Sequence, residues 1–365
     1  MRNIKEIAAL ILQPGIPLRR GTRQGNLAVY LMQTKWGRAL RLLHPRFKAV
    51  CAEFPAGICI LSDGKVTTCC HDPLGQNVFA SLDTCSIEEA WRSAGKAVRN
   101  GLYAMPVCQE CVGSTMTSVT SSAKQFQDWR TRAQGHPEFI TIEIMAACNY
   151  GCCISPTLKQ HRKVKPDLDL IFDRIRPFLP HIKQLRLFNY GEPLLHDGFG
   201  AFVARCRKES ERLNLLLATN GMLMDEEYCG TFIAAQLDHI IVSVHGGPGT
   251  EDMLKYSKYG ADYDKVMVNI ERLLLMRRAA GASRPTVGLR AILFDWNDND
   301  ESMNRFRQDA QRLELRATGG DRTTDNYHWI LDVGTQGRYS SRRFVPGSAD
   351  LERLQKAGET EDSEQ

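Results

Sequence analysis

Short apolar segments alternate with amphipathic helical patterns from about residue 138 to residue 313, and this alternation limits the possible folds most strongly. Strands that alternate with helices favour βα units and a parallel sheet. We predict strands over residues 139–145, 184–188, 215–218, 239–244 and 287–293. We predict helices over residues 167–178, 199–213, 225–235, 263–279 and 298–313. Periodicity alone leaves a barrel, a partial barrel and a doubly wound sheet open.

The composition is that of a globular protein with a sizeable core: 43% of the 365 residues are hydrophobic and 24% are charged. The longest apolar stretches fall far short of the ~20 residues that a membrane span needs. Because no signal-peptide pattern follows Met1, we expect a cytoplasmic protein without a membrane span. The net charge of +5 is too small to indicate nucleic acid, so we expect no such partner.

The first 47 residues form a basic arm, to which we assign no function. Residues 48–114 are rich in cysteine and contain a hairpin signal, Asp63-Gly64. A capping box, Ser86 followed by Glu89, begins a short helix there. Residues 115–137 open on a Ser/Thr-rich stretch that is typical of a linker, and residues 319–365 are predicted to be a polar tail. The chain thus divides into an arm, a small α+β unit, a linker, a larger α/β domain over 138–318 and a tail.

Three cysteines, Cys148, Cys152 and Cys153, lie within six positions directly after the first predicted strand of the α/β domain. Loops at the carboxyl ends of such strands carry active sites, and thiolates are the ligands preferred by iron-sulfur clusters and zinc. The chain has twelve cysteines, and structural disulfides are unusual in the cytoplasm. Metal or cluster ligation is therefore favoured over a chance group of buried thiols.

This loop and three later motifs resemble the radical S-adenosylmethionine (SAM) family. Asn189-Tyr190-Gly191-Glu192-Pro193 is similar to that family's Gly-Glu-Pro motif after the second strand. The segments 218–221, Ala-Thr-Asn-Gly, and 241–246, Ile-Val-Ser-Val-His-Gly, are similar to its third and fourth strand ends. Each match is weak alone, but together and in order they are specific.

The resemblance implies a partial (β/α)6 barrel over residues 138–318, with a small N-terminal Cys-rich α+β domain. It also implies cofactor-binding roles for Gly191, Glu192, Pro193, Asn220 and Ser243, with Glu192 accepting from the methionine ammonium group of SAM. The residue chemistry agrees, because glycine permits close backbone approach and a carboxylate accepts from an ammonium group. For Asn220 a turn role is equally open, and Ser243 could instead satisfy a neighbouring backbone group.

The cysteine loop departs from the family at its third position. The family has cysteine where this chain has Ser155, and an additional thiol stands at Cys153. In the family, three thiolates hold a four-iron cluster and leave the fourth iron for SAM. A serine hydroxyl gives up its proton far less readily than a thiol. We assign the cluster to Cys148, Cys152 and Cys153, with Ser155 or a site that has lost SAM chemistry as the alternatives.

The N-terminal cysteines resemble a SPASM or twitch domain, which holds auxiliary four-iron clusters in many radical SAM enzymes. Four thiolates would saturate one auxiliary [4Fe-4S] cluster: Cys51, Cys69, Cys108 and Cys111. Structural zinc is the rival interpretation, since a hairpin thiol with a distant Cys-x-x-Cys pair is typical of zinc ribbons. Here the domain precedes the barrel, whereas in the family it normally follows.

By resemblance the chain is a radical SAM enzyme that reductively cleaves SAM to a 5′-deoxyadenosyl radical, which abstracts hydrogen from a substrate. Relatives act on peptide or protein side chains and on small molecules, and they take electrons from a donor such as a ferredoxin or flavodoxin. The alternative is a non-catalytic accessory or binding protein that retains the barrel and one structural cluster or zinc. Ser155 favours the alternative, and Gly191-Glu192-Pro193 opposes it.

Overall fold

The computed structural model describes the α/β domain and part of the Cys-rich segment. The described residues are 47–50, 56–67, 69, 70, 72, 74–100, 107, 115–118, 136–152, 164–245, 256, 257, 259–318, 322–331, 341, 343, 344 and 354. Predictions for the arm before residue 47 and for five site positions fall outside them: Cys51, Cys108, Cys111, Cys153 and Ser155.

The first elements in chain order belong to the Cys-rich segment: β1 (Phe47–Val50), β2 (Gly57–Ile60), β3 (Lys65–Thr67), β4 (Ala80–Ser81), α1 (Ile87–Asn100) and β5 (Thr115–Ser118). The predicted hairpin joins β2 and β3, with Gly64 at φ +75°. The capping box of α1 is confirmed, since the Glu89 carboxylate accepts from the Ser86 N–H at 2.9 Å. Residues 115–118, at the start of the predicted linker, form a strand that pairs with β1.

The α/β domain continues the numbering with strands and helices in alternation: β6 (Phe139–Ile142), α2 (Leu168–Ile175), β7 (Gln184–Leu187), α3 (Phe199–Glu209), β8 (Asn214–Thr219), α4 (Glu226–Ala234), β9 (His239–Ser243), α5 (Tyr263–Ala279), β10 (Thr286–Leu293), α6 (Asp300–Arg312), β11 (Arg316–Ala317) and β12 (Asn326–Leu331). Each of the five strands and five helices predicted from periodicity is present, with shifts of a few residues at the ends.

One ten-stranded sheet contains all of these strands except β1 and β5, in the order β11-β12-β10-β9-β8-β7-β6-β2-β3-β4. The strands β6, β7, β8, β9, β10 and β12 are parallel and adjacent, which is the arrangement of a partial (β/α)6 barrel. The fold class predicted from the sequence is confirmed. The sixth strand, β12, lies beyond residue 318, where the sequence analysis placed the tail.

The hairpin strand β2 pairs in parallel with β6, so the Cys-rich segment extends the barrel sheet. Its turn contacts the barrel as well, because the Ser62 N–H donates to the Glu143 carboxylate at 3.0 Å. Glu143 directly follows β6. The hairpin turn therefore lies at the sheet edge where the parallel strands end, on the same side as the cysteine loop.

Side-chain caps explain where four of the barrel helices begin. Asp167, Asp225, Asp262 and Asn299 precede α2, α4, α5 and α6, and each accepts from a backbone N–H of the first turn. Such caps satisfy N–H groups that have no partner inside the helix. No described helix combines the length and apolar character that crossing a bilayer requires.

Ion pairs attach the helices to the entering ends of the strands. Arg207 of α3 lies 2.6 Å from Asp238, which also accepts from the N–H of Leu215 in β8. Arg277 of α5 pairs with Asp325 just before β12, and Asp325 accepts from the Val287 N–H. These contacts stabilise the end of the barrel opposite the motif residues.

Candidate functional site

The predicted motif residues meet at the carboxyl ends of β6, β7 and β8. The Glu192 N–H donates to the Ala147 carbonyl at 2.9 Å, which joins the Gly-Glu-Pro turn to the cysteine loop. The Asn220 N–H donates to the Glu192 carboxylate at 2.8 Å, and the Asn220 side chain donates to Asn149 at 2.7 Å. Three motifs that are far apart in sequence therefore contact one another, as expected for loops at one edge of a parallel sheet.

The Glu192 carboxylate is buried and held in a fixed orientation. Its Oε1 accepts from the Leu194 N–H at 3.1 Å and the Thr219 hydroxyl at 2.7 Å, and its Oε2 accepts from Asn220. Burial raises its pKa to about 7, although these three donors oppose the shift. A carboxylate has about four lone-pair positions, and one on Oε2 accepts from none of the residues that the structure describes. A buried carboxylate with an open acceptor position is suited to a cationic donor such as an ammonium group.

Gly191 is required by the close approach of two loops. A Cβ atom at this position would lie 1.8 Å from the carbonyl oxygen of Met145, on the chain that leads into the cysteine loop. Backbone contacts at this distance can only be relieved by moving one of the chains. The missing side chain thus lets the Gly-Glu-Pro turn pack directly against the cysteine loop.

We expect Gly191→Ala to lower the free energy of unfolding by about 3 kcal/mol, because the new methyl group separates the two loops. The measurement is urea unfolding followed by circular dichroism. Gly230→Ala is the matched control: its Cβ would meet nothing closer than 4.0 Å, and it lies inside α4. Alanine there should raise stability by about 0.5 to 1 kcal/mol. Equal effects of the two substitutions would contradict the steric argument.

Cys148 and Cys152 are both half-buried and lie on the loop after β6. The Cys148 Sγ accepts from the Tyr150 N–H at 3.4 Å and lies 3.8 Å from the Asn220 amide nitrogen. Burial raises the pKa of this thiol to about 11, so it stays protonated at neutral pH unless a metal replaces the proton. Cys152 pairs with Ser257 in a β-bridge, which anchors the far end of the described loop.

The described donors fit the groups that a radical SAM site binds. The two thiols are appropriate ligands for iron, and the open Oε2 position of Glu192 is appropriate for the ammonium of SAM. Within the part of the chain that the structure describes, no three His, Cys, Asp or Glu side chains are grouped as a metal site. The third predicted cluster ligand, Cys153, and its alternative Ser155 lie outside that part.

The remaining predicted cofactor contacts have partners within the chain. Pro193 begins a short 3-10 turn, which places the Leu194 N–H on Glu192. The Asn220 side-chain oxygen accepts from the Met222 N–H at 3.0 Å, so this residue also supports the turn through Gly221. Ser243 accepts from the Arg290 guanidinium at 2.8 Å. Their proposed contacts with SAM remain predictions.

Of the predicted auxiliary-cluster ligands, only Cys69 is described. It follows β3, and the Thr67 hydroxyl donates to its carbonyl at 3.3 Å. Cys59 of β2 is fully buried, and burial together with Cys70, Glu143 and Cys69 raises the pKa of its thiol. This group of thiols lies near the carboxyl end of β6, and the identity of any metal that it holds remains a prediction.

Sequence reasoning missed two charged residues that point away from the helices. Glu143 is buried after β6 and accepts from Ser62 and from the Asn189 amide at 3.2 Å, and burial raises its pKa. Arg290 lies in the middle of β10. A charged residue inside an otherwise apolar strand pattern was the available signal in both cases, because buried charges are rare without a partner.

One family model matches the part of the chain that carries the site. Residues 142–306 match the family model of the Radical SAM superfamily, a span from the end of β6 to the middle of α6. The matched span includes the cysteine loop and all three later motifs. No curated protein sequence matches the chain.

Several solved structures are similar to it at low identity. SuiB of Streptococcus suis bound to S-adenosylmethionine gives a TM-score of 0.48 with 11% identity, covering 88% of this chain and 70% of that one. TsrM of Kitasatospora setae, a radical SAM methyltransferase, gives 0.41 with 17% identity over 58% and 39%. The anSMEcpe structure with AdoMet and the Kp18Cys peptide gives 0.39 with 14% identity over 53% and 50%. The chain thus spans half the length of anSMEcpe.

Proposed function

We propose that this chain is a radical SAM enzyme. The observation that carries the proposal is the Glu192 carboxylate, which is buried, fixed by three donors and open at one acceptor position beside the cysteine loop. The family match over residues 142–306 supports the same activity. A structural role alone would not favour a buried carboxylate that has no cationic partner among the described residues and a pKa near 7.

Each motif then has a defined part in binding. Glu192 would accept from the ammonium group of SAM, while Gly191 keeps the turn against the loop that bears Cys148. Cys148, Cys152 and Cys153 would ligate the [4Fe-4S] cluster. When bound, the cluster supplies the electron that cleaves SAM to methionine and a 5′-deoxyadenosyl radical, which takes a hydrogen atom from the substrate. The surrounding barrel excludes water and positions the substrate.

The substrate and the partners follow from the resemblance. We propose a peptide or protein side chain as the substrate, with a small molecule as the alternative, and a ferredoxin or flavodoxin as electron donor. An auxiliary [4Fe-4S] cluster on Cys51, Cys69, Cys108 and Cys111 would lie near the barrel opening, since the hairpin before Cys69 ends at the edge where the motifs meet.

The proposal predicts that the anaerobically reconstituted chain forms 5′-deoxyadenosine from SAM in the presence of a strong reductant. Cys148→Ala should reduce this product to background, because the cluster loses a thiolate ligand. Chromatography of the quenched reaction measures the product, and bound iron is determined on the same samples. Cys206→Ala is the matched control, since Cys206 is a buried thiol on helix α3, outside the motif loops.

Absence of 5′-deoxyadenosine from protein that holds about four irons per chain would contradict the proposed activity. The accessory-protein alternative, which Ser155 favours, would then account better for the chain. Equal product from the Cys148→Ala variant would also contradict it, because the cleavage would not depend on the loop.

A further inference from the structure

The interior of the barrel is polar in a layer near its carboxyl end. Ser243 of β9, Arg290 of β10 and His328 of β12 are register partners on adjacent parallel strands. Register partners point to the same face of a sheet, and neighbours along a strand point to opposite faces. Val242 packs near Val266 of α5, on the helix side. Arg290 therefore faces the interior, which in barrels of this kind is ordinarily filled by apolar side chains.

The Arg290 guanidinium is only partly satisfied. One of its terminal nitrogens donates to the Ser243 hydroxyl at 2.8 Å, whereas its Nε is buried and has no hydrogen-bond partner among the described residues. The ionisable groups that act on Arg290 are Tyr256, Arg322 and Cys70, so no described carboxylate compensates its charge. Burial lowers the pKa of this guanidinium, a sign that the interior disfavours the charge.

Three other arginines of the barrel that the structure describes have partners within the chain: two pair with an aspartate and one contacts an amide and an aromatic ring. Arg207 and Arg277 each form an ion pair with an aspartate. Arg186, which also belongs to the barrel sheet, donates to Gln184 at 2.7 Å and lies over the Phe139 ring at 3.8 Å. A buried unpaired charge costs several kcal/mol, so a sequence that keeps one needs a reason.

The neighbouring His328 does not compensate the charge of Arg290 and is itself mostly uncharged. Burial, with smaller contributions from Arg290, His239 and Arg322, lowers the pKa of His328 to about 4. It is therefore neutral near pH 7 and can serve as a hydrogen-bonding neighbour. The layer as a whole has a net positive charge and faces the interior just below the motif loops.

We propose that Arg290 binds a carboxylate of the substrate inside the barrel. The assignment of this carboxylate to the substrate rests on the proposed function. The binding of a carboxylate by Arg290 rests on the geometry alone. The planar guanidinium has an open Nε–H, and a carboxylate pairs with such a donor more strongly than a neutral group does. One carboxylate would compensate the charge that the described residues leave unpaired. The substrate class is thus a molecule with a free carboxylate, such as an acidic side chain or a peptide terminus.

The first test measures thermal unfolding with succinate as the probe, at constant ionic strength set with sodium chloride. Arg290→Met should raise the midpoint by about 2 to 4 °C, since the variant buries no unpaired charge. Succinate should stabilise the native chain and leave this variant unchanged. Arg186→Met is the matched control: it should lower the midpoint and keep the succinate response.

Two results would overturn the proposal. A fall of the midpoint in Arg290→Met similar to that in Arg186→Met would mean that the chain itself supplies a partner for Arg290. An equal succinate response in the native chain and the Arg290→Met variant would place anion binding elsewhere. Neither readout needs SAM cleavage, so both remain informative if the proposed enzymatic activity fails.

A second test separates the substrate from the cofactor, since SAM also carries a carboxylate. Binding of SAM and of decarboxylated SAM is measured on the anaerobically reconstituted native chain and on Arg290→Met. The proposal expects both affinities to change less than threefold. A tenfold loss for SAM alone would assign Arg290 to the carboxylate of SAM and overturn the substrate assignment.

Discussion

We expect Glu192→Gln to reduce the affinity for SAM at least 100-fold. The carboxylate is buried, and the open position on its Oε2 is the proposed acceptor for the ammonium group. Removing one charge of a buried pair costs about 3 to 5 kcal/mol, which is a factor of 100 or more in affinity. The side-chain amide of glutamine would also direct its own N–H donors at the backbone N–H of Leu194 or of Asn220. These two backbone groups already donate to the two carboxylate oxygens of Glu192. Titration calorimetry on the anaerobically reconstituted chain measures the loss.

The charge on Glu192 also gives this binding a pH dependence. Its pKa is near 7 before a cation binds, so below pH 7 most chains hold a proton at the position that the ammonium needs. We expect native affinity to rise about tenfold from pH 6 to pH 8, because deprotonation frees the carboxylate. Affinity in Glu192→Gln should lack this rise. A rise of the same size in the variant would assign the titration to another group.

Glu143→Gln is the matched control, since Glu143 is a second buried carboxylate and follows the adjacent strand β6. It accepts from Ser62 and Asn189 within the chain, and its pKa is also raised by burial. We expect this variant to lose stability and to keep its SAM affinity within threefold. A loss of SAM affinity as large as that of Glu192→Gln would indicate general collapse of the loops and contradict the specific role of Glu192.

The contact between the motifs could be predicted from the sequence, because local apolar patterns are enough to locate the strands that carry them. Apolar runs such as 214–219 identify strands, and the carboxyl ends of parallel strands meet at one edge. Glu192 and Asn220 were therefore expected near the cysteine loop, and their contacts confirm it. The spacing could not show which lone pair of Glu192 stays open, because that depends on Thr219 and Leu194 in three dimensions.

Local sequence patterns do not specify which strands pair when they are far apart in the chain. The pairing of β2 with β6 joins segments about 80 residues apart, and nothing in either segment specifies the partner. The strand β12 was missed because its interior face carries Asn326 and His328, which broke the apolar pattern between two polar stretches. Arg290 was overlooked for the converse reason: a single charge within an apolar strand does not disturb the strand prediction.

The second large effect is expected at the cysteine loop, because in the proposed ligand set the thiol of Cys153 would decide whether the SAM-binding cluster forms. Cys153→Ala should lose about four irons per chain relative to the native protein and form no 5′-deoxyadenosine, as Cys148→Ala does. The physical reason is the weak acidity of the Ser155 hydroxyl, which cannot replace a thiolate at neutral pH. Iron and acid-labile sulfide are determined after anaerobic reconstitution, with the buried thiol variant Cys229→Ala as the control.

The double variant Cys153→Ala/Ser155→Cys then tests position 155 directly. Moving the thiol to position 155 restores the spacing of three and then two residues that the resemblance implies, so we expect iron and product to return. Rescue together with loss in the single variant identifies Cys153 as the native third ligand, displaced by two positions from the family pattern. Full iron content in Cys153→Ala alone would contradict that ligand set, since two thiolates and Ser155 would then suffice to hold the cluster.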